Sequence, residues 1–419
     1  MGNRCSANTC RINSPTAPVA PTIATQGSPL LAIFSHPFLS YLPEILQFRP
    51  AVPLSCQITI PIYQTPAISG NFRQGHPLSA SFKQPAELDW FTNTPPSQQK
   101  IDQVWMLRAL QLAKMGEGKV EPNPMVGCVL VRDGNLVGEG WHDRFGENHA
   151  EINALISAGK NAKGATAYVT LEPCCHQGKT GPCTKSLIDA GIRKVIAART
   201  DPFPLVAGKG LGILKNAGIE TLAGCCDEES TAILNPFICL TTKGKPWVIA
   251  KWAMTLDGKI ASRTAKSKWI SCEDSRSLVH LWRSQMDAIL VGSGTALADN
   301  PLLTARPPGN RIPTRIVLDR RGRLDHKCNL VQSIQEAPLL VATSTDSKPN
   351  WRDALEKSGA KVLVMNGKGG DFLKELLDNL GKNRITNLLI EGGGEVFGSF
   401  FDNALVDEIR VFICPTVMG

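Results

Sequence analysis

The chain contains no run of about 18 apolar residues, the length a membrane-spanning helix needs, so no membrane partner is expected. Its 13 cysteines follow no regular spacing and include the adjacent pairs Cys174-Cys175 and Cys225-Cys226. This argues against a disulfide framework and for a reducing compartment, with the cytoplasm the expected location. No internal repeat is visible. A basic stripe interleaved with aromatic residues is also missing, and with it the usual surface for nucleic acid. The net charge of +8 does not restore that reading. Much of it comes from residues 1–86, where Arg4, Arg11, Arg49, Arg73 and Lys83 stand against Glu44 alone.

Residues 1–99 are rich in Pro, Ser, Thr, Ala and Gln and show no sustained hydrophobic period. That composition predicts a disordered segment. Poverty in acids is also a property of transit peptides, which makes a plastid the alternative location; a start codon assigned upstream of the true one is a third account. The apolar stretch Leu30-Leu31-Ala32-Ile33-Phe34 is too short and too far in for a signal-peptide core.

From Ile101 onward, patterning is that of a folded α/β protein. Val104, Leu107, Leu110 and Ala113 predict a helix ending near Gly116. Residues 125–131 and 136–139 predict two strands joined at Asp133-Gly134-Asn135, a hairpin signal. Helices over 149–159, 183–191 and 208–217 alternate with strands at 165–171, 194–198 and 219–222, which predicts a largely parallel sheet. Lys243-Gly244-Lys245-Pro246 reads as a linker. Beyond it strands are expected at 247–254, 288–291, 315–318, 339–342, 362–365, 387–390 and 408–413, with a helix over 275–285.

What is present includes a metal-binding constellation. His149-Ala150-Glu151 opens a helix, and Cys174 and Cys183 flank the loop after the strand at 165–171. A catalytic zinc takes three protein ligands and keeps its fourth position for water. The metal brings that water's pKa toward neutrality, so hydroxide can attack an amidine carbon. A carboxylate outside the ligand set must carry the proton to departing ammonia. His149, Cys174 and Cys183 fit the ligand roles and Glu151 the shuttle. The short Pro-Cys-x-x-Cys form of the deaminase signature is lacking, which leaves Cys175 and His176 as substitute ligands. Asn123 sits in a Pro-rich turn, where its amide would read a pyrimidine edge or merely make a turn. Lys179, between the two thiols, would meet a phosphate or stay solvated. Gly208-x-Gly210-x-Gly212 reads as an ordinary helix start.

These residues resemble the bifunctional riboflavin-biosynthesis deaminase–reductases. The resemblance is carried by Glu121-Pro122-Asn123-Pro124-Met125-Val126-Gly127-Cys128, His149-Ala150-Glu151, Thr170-Leu171-Glu172-Pro173-Cys174 and Asp201-Pro202-Phe203-Pro204. It continues in Lys251-Trp252-Ala253-Met254-Thr255-Leu256-Asp257-Gly258-Lys259, Ser267-Lys268-Trp269-Ile270-Ser271, Asp299-Asn300-Pro301 and Glu391-Gly392-Gly393-Gly394. The long spacing from Cys174 to Cys183 is similar to that family's. The resemblance implies a cytidine-deaminase-like α/β/α domain over 100–243, then a dihydrofolate-reductase-like α/β domain over 246–419. It implies deamination of a diamino-ribosylamino-pyrimidinone 5′-phosphate, then reduction of its ribose to ribitol with NADPH. The implied cofactors are Zn2+ and NADPH and the implied partner is this small ribotide, with a homo-oligomer left open.

By the same resemblance Ala253, Trp269, Thr295 and Asp299 would touch NADPH. Ser267, Arg283, Leu303, Arg306 and Glu391 would hold the substrate, the two guanidiniums suiting a phosphate dianion. Gly392, Gly393 and Gly394 follow a strand and open a helix, where backbone N–H groups can approach a phosphate. Lys251 is a candidate catalytic group near the ribose, or a structural residue of its strand. In the family the last strand is followed by a glycine-rich turn and further strands. The present sequence therefore reads as truncated, which predicts an exposed sheet edge and raises the alternative of a deaminase with a non-functional reductase half.

Overall fold

Helix α1 (Gln98–Ala113) starts where Ser97 accepts the Lys100 N–H at 3.4 Å, an N-cap. The computed structural model describes residues 97–419, apart from 177–180, 205 and 264–269, together with a short strand, β1 (Leu30–Ala32). The helical stripe expected in α1 needs correction. Trp105, Met106, Ala109, Leu110, Leu112 and Ala113 are buried, whereas Leu107 is exposed. Three-residue steps fall short of the 3.6-residue turn and drift off the apolar face.

Strands β2 (Gly127–Arg132) and β3 (Asn135–Trp141) form an antiparallel hairpin. Asp133 and Gly134 turn it with φ of 52° and 78°, the conformation two-residue hairpins require. Then come α2 (Ala150–Ala158), β4 (Thr166–Val169), α3 (Cys183–Asp189), β5 (Lys194–Ala197), α4 (Lys209–Asn216) and β6 (Glu220–Ala223). The sheet order is β3-β2-β4-β5-β6. Only the β4–β5 and β5–β6 pairs are parallel; β2 runs antiparallel to both of its neighbours. The expected largely parallel sheet is thus mixed, because a two-residue turn can join only antiparallel strands.

Side-chain alternation splits β2 between two cores. Cys128 and Leu130 pack with α2, and Val129 and Val131 with α1, giving three α/β/α layers. A further helix, α5 (Asp227–Lys243), was not expected. Pro236 lies inside it, which hides a helix from sequence patterning. Asp227, Glu228 and Glu229 in its first turn favour the dipole, and Gly244 ends it with φ 66°.

The second half is built on β7 (Trp247–Thr255), α6 (Glu273–Arg283), β8 (Ala288–Gly292), α7 (Ser293–Asp299), β9 (Thr314–Leu318) and α8 (Asn329–Gln332). It continues with β10 (Leu339–Ser344), α9 (Pro349–Lys357), β11 (Lys361–Met365), α10 (Gly370–Lys382), β12 (Asn387–Ile390), α11 (Gly394–Asp402) and β13 (Glu408–Cys414). The eight-stranded order is β1-β13-β7-β12-β8-β9-β10-β11, with every pair parallel except β1–β13. Both faces of the central strands are covered, so β8 and β12 are nearly continuous apolar runs. Val248, Ala250, Leu290 and Leu388 meet α10, whose Phe372, Leu376 and Leu380 are buried. Each such side chain contributes about 1.5–3 kcal/mol.

The edge expected to lie open is paired in part. Leu30–Ala32 runs antiparallel along Val411–Ile413 of β13. Of the segment 1–99 expected to be disordered, Leu30–Ala32 are therefore in a strand and Gln98 and Gln99 open α1; the rest of 1–96 lies outside the described residues. The two halves touch across several contacts. Arg311 reaches Glu121 at 3.2 Å and also pairs with Asp287, and Gln285 donates to Glu117 at 3.2 Å. No helix among the described residues is long and apolar enough to cross a membrane.

Candidate active sites

The N-terminal site is set by how closely α2 lies on β3. A Cβ at Gly138 or Gly140 would fall 2.5 or 2.4 Å from backbone atoms of Ala154, so only glycine permits this approach. It places the first residues of α2 over the ends of β2 and β4. His149 is the N-cap residue, with extended backbone, and Glu151 lies in the first turn. Splayed around the helix start, the two face one pocket.

His149, Cys174 and Cys183 come together, their ligand atoms all within 4.8 Å of one another. His149 Nδ1 lies 3.5 Å from Cys174 Sγ and 3.3 Å from Cys183 Sγ. Bonds of zinc to nitrogen and sulfur at a tetrahedral angle would put such atoms roughly 3.5 Å apart. The donor set and its spacing therefore fit zinc. Cys174 follows β4, and Cys183 is the first residue of α3. The Cys183 N–H points at Cys174 Sγ, 3.4 Å away. A hydrogen bond from the Cys183 thiol, with His149 beside it, lowers the Cys174 thiol to about 4 and raises Cys183.

Cys175 and His176 do not belong to this cluster among the described residues. His176 instead packs edge-on against Phe203. Glu151 is only 3% exposed, and burial, reinforced by the Cys174 charge, pushes its carboxyl up to about 7. Glu172, a second carboxylate in the cavity wall, is committed elsewhere. It accepts the N–H groups of Asp201, Gly208 and Leu211 and so caps the start of α4. That assigns the Gly208-x-Gly210-x-Gly212 run to a helix start.

Asn123, His149, Glu151 and Cys174 line one cavity of about 780 Å³, large enough for a nucleotide-sized ligand. Asn123 Nδ2 lies 3.2 Å from His142 Nε2, and His142 Nδ1 lies 2.9 Å from the Asn148 carbonyl oxygen. If Asn123 donates, the ring is protonated at Nδ1 and the amide Oδ1 stays free. Burial lowers the His142 pKa, in keeping with that neutral ring. His142 was not singled out from sequence. Its only signal is its place at the end of β3, next to the loop leading to His149. Lys179 lies outside the described residues.

The second site forms at the C-terminal ends of adjacent parallel strands β7, β12 and β8, where open α/β sheets gather ligands. Lys251 on β7 stands 3.2 Å from Glu391, just past β12. Arg283, in the last turn of α6, binds the same carboxylate with Nε at 2.6 Å and Nη2 at 2.8 Å. Its Nη1 donates to the Thr304 carbonyl. Although burial opposes ionisation, Arg283 and Lys251 hold the Glu391 carboxyl well below the usual range.

Gly392, Gly393 and Gly394 turn from β12 into α11, and the Gly392-Gly393 peptide is cis. Gly392 has φ 142°, and a Cβ on Gly393 would sit 3.0 Å from Thr295 Oγ1. Thr295 and Asp299 lie on α7, which follows β8 directly. Ala253 packs beside Trp282 and Phe412. Leu303 has φ 55° and is 3% exposed, its side chain packed in the core. Arg306 is exposed, its backbone N–H donating to His280. Ser267 and Trp269 lie outside the described residues.

Comparison with known proteins agrees with both halves. Residues 99–199 match the family described as the cytidine and deoxycytidylate deaminase zinc-binding region, and residues 246–419 match the RibD C-terminal domain. The riboflavin biosynthesis protein RibD of Aquifex aeolicus is 42% identical over 321 residues, covering 76% of this chain and 88% of that protein. The Escherichia coli RibD is 41% identical over 331 residues, covering 76% and 89%. A Thermotoga maritima diaminohydroxyphosphoribosylaminopyrimidine deaminase/5-amino-6-(5-phosphoribosylamino)uracil reductase superposes with TM-score 0.68 at 39% identity, covering 77% and 88%. Acinetobacter baumannii RibD gives TM-score 0.69 at 40% identity, covering 77% and 89%. The reductase unit is present, which overturns the alternative of a deaminase alone. With a zinc-type deaminase site in one half and a reductase fold in the other, the chain belongs to the RibD family of bifunctional riboflavin-biosynthesis enzymes.

Proposed function

We propose that the N-terminal site deaminates a diamino-ribosylamino-pyrimidinone 5′-phosphate and that the C-terminal site reduces the ribosyl group of the product with NADPH. The observation that carries the first step is the cavity lined by Asn123, Glu151, His149 and Cys174, the last two clustered with Cys183. His149, Cys174 and Cys183 hold Zn2+, which supplies an activated water when bound. Glu151 would take a proton from that water and deliver it to the pyrimidine ring nitrogen, then carry the remaining hydroxyl proton to the leaving amine. A carbon–oxygen bond forms, a carbon–nitrogen bond breaks, and ammonia departs. Asn123, aimed by His142, reads the pyrimidine edge through its free amide oxygen.

In the reductase half the nicotinamide nucleotide supplies a hydride when bound. Gly392, Gly393 and Gly394 leave room for its phosphates at the start of α11, beside Thr295, and the resemblance adds Asp299, Ala253 and Trp269 as cofactor contacts. Glu391 holds Lys251 so that its ammonium can give a proton to the ribose oxygen as the sugar opens. Ser267, the Leu303 backbone and Arg306 hold the ribotide. Arg283, bound to Glu391, acts as the anchor of this carboxylate. The protein works in the cytoplasm.

The test is substrate preference. The zinc-loaded protein should deaminate the pyrimidine ribotide and leave cytidine and deoxycytidylate unchanged. Equal turnover of deoxycytidylate would replace this reading with a nucleotide deaminase.

A further inference from the structure

We infer that Lys382 and Arg384, carried by the reductase half, form the phosphate-recognising end of the deaminase cavity. The inference rests on the ribotide reading of that site and names the residues that would enforce it. The cavity that contains Glu151 and the metal-binding cluster is not closed by the deaminase half alone. Gly381, Lys382 and Arg384 complete its wall.

Charge makes this wall informative. The carboxylates facing the cavity include Glu147, Glu151 and Asp201. Among the described lining residues the only lysine or arginine side chains are Lys382 and Arg384. A phosphate dianion entering an acidic cavity needs permanent cations to offset the repulsion. Neither side chain makes an ion pair or a side-chain hydrogen bond among the described residues, and both are exposed. They are uncommitted, unlike Arg283, Arg311 and Arg199, which each hold a carboxylate.

Their placement is fixed by backbone packing. Gly381, in the last turn of α10, lies so close to the linker that a Cβ there would fall 1.8 Å from the Gly244 carbonyl oxygen. The Arg384 N–H donates to the Gly381 carbonyl at 2.8 Å, and Arg384 itself has φ 60°. The chain thus turns sharply where Lys382 and Arg384 join the cavity wall, to which Leu240 and Thr241 of α5 also belong. A pyrimidine seated at Asn123 and Glu151 would extend its ribose phosphate outward, toward this end.

The test uses the full-length zinc-loaded protein with Lys382→Ala and Arg384→Ala combined. Deamination of the ribotide and of the dephosphorylated riboside is measured, with NADPH-dependent reduction of the deaminated ribotide as a check on folding. The KM for the ribotide should rise about tenfold or more, as loss of charge-assisted contacts implies. The kcat, the riboside parameters and the reduction rate should hold. An unchanged ribotide KM, or an equal rise for the riboside, would overturn the inference. If the double variant misfolds, single Lys382→Gln and Arg384→Gln variants serve the same comparison. If the parent does not deaminate the ribotide, the substrate reading fails by itself. The cation pair is then read separately: inorganic phosphate should slow acylation of Lys382, followed by peptide mass, and no slowing would refute it.

Discussion

Arg283 grips the Glu391 carboxylate with two parallel hydrogen bonds, 2.6 and 2.8 Å long, in a largely buried site. The resemblance had placed the Arg283 guanidinium on a substrate phosphate. Here its Nε and Nη2 are spent on orienting the carboxylate that also holds Lys251. Removing the carboxylate leaves two buried cations unpaired, so Glu391→Gln should lower stability by about 3 kcal/mol. Calorimetric melting of the two proteins near neutral pH checks this.

The same pair sets a pH dependence. The Glu391 pKa is depressed below its ordinary 4.5. The folded protein therefore sheds a proton that the unfolded chain keeps. The stabilisation is fully present above about pH 4.5 and is lost as pH falls through the folded value. The melting gap between the parent and Glu391→Gln should narrow as pH is lowered below about 4.5. A constant gap would mean that folding does not depress the Glu391 pKa.

The purified protein should carry about one zinc per chain. Cys174→Ser and Cys183→Ser should each lose most of it by metal analysis. Full occupancy in both variants would remove the proposed centre.

Glu151→Gln should keep zinc yet lose deamination by roughly a hundredfold or more, the scale of general acid–base catalysis. Glu172 cannot take over, because three backbone N–H groups occupy its carboxylate. Near-normal turnover in the Glu151 variant would contradict the shuttle.

Gly393→Val should abolish NADPH binding while sparing deamination. A Cβ there already crowds Thr295 Oγ1 at 3.0 Å, and branching would fill the phosphate approach. Calorimetric titration with NADPH reads the loss.

The chemistry was legible in the sequence wherever it was local. His149, Glu151, Cys174 and Cys183 come from short motifs at helix and strand ends, and the structure brings them together. The strands of the second half were legible because burial on both faces makes them continuous apolar runs. Helix α5 was hidden by Pro236, and the mixed sheet by pairing that a strand pattern alone does not reveal. His142 is visible only through its contact with Asn123. Lys382 and Arg384 reach the deaminase cavity through tertiary packing against Gly244, which no local pattern encodes.

The central claim is that one chain performs both reactions in sequence. The direct measurement is turnover of the pyrimidine ribotide by the purified full-length protein, with and without NADPH, products being identified by mass. Without NADPH the product should be the deaminated ribosylamino compound, with ammonia released. With NADPH it should be the ribitylamino compound, with NADPH consumed in equal amount. Deaminated product alone under both conditions, or no ammonia in either, would contradict the account.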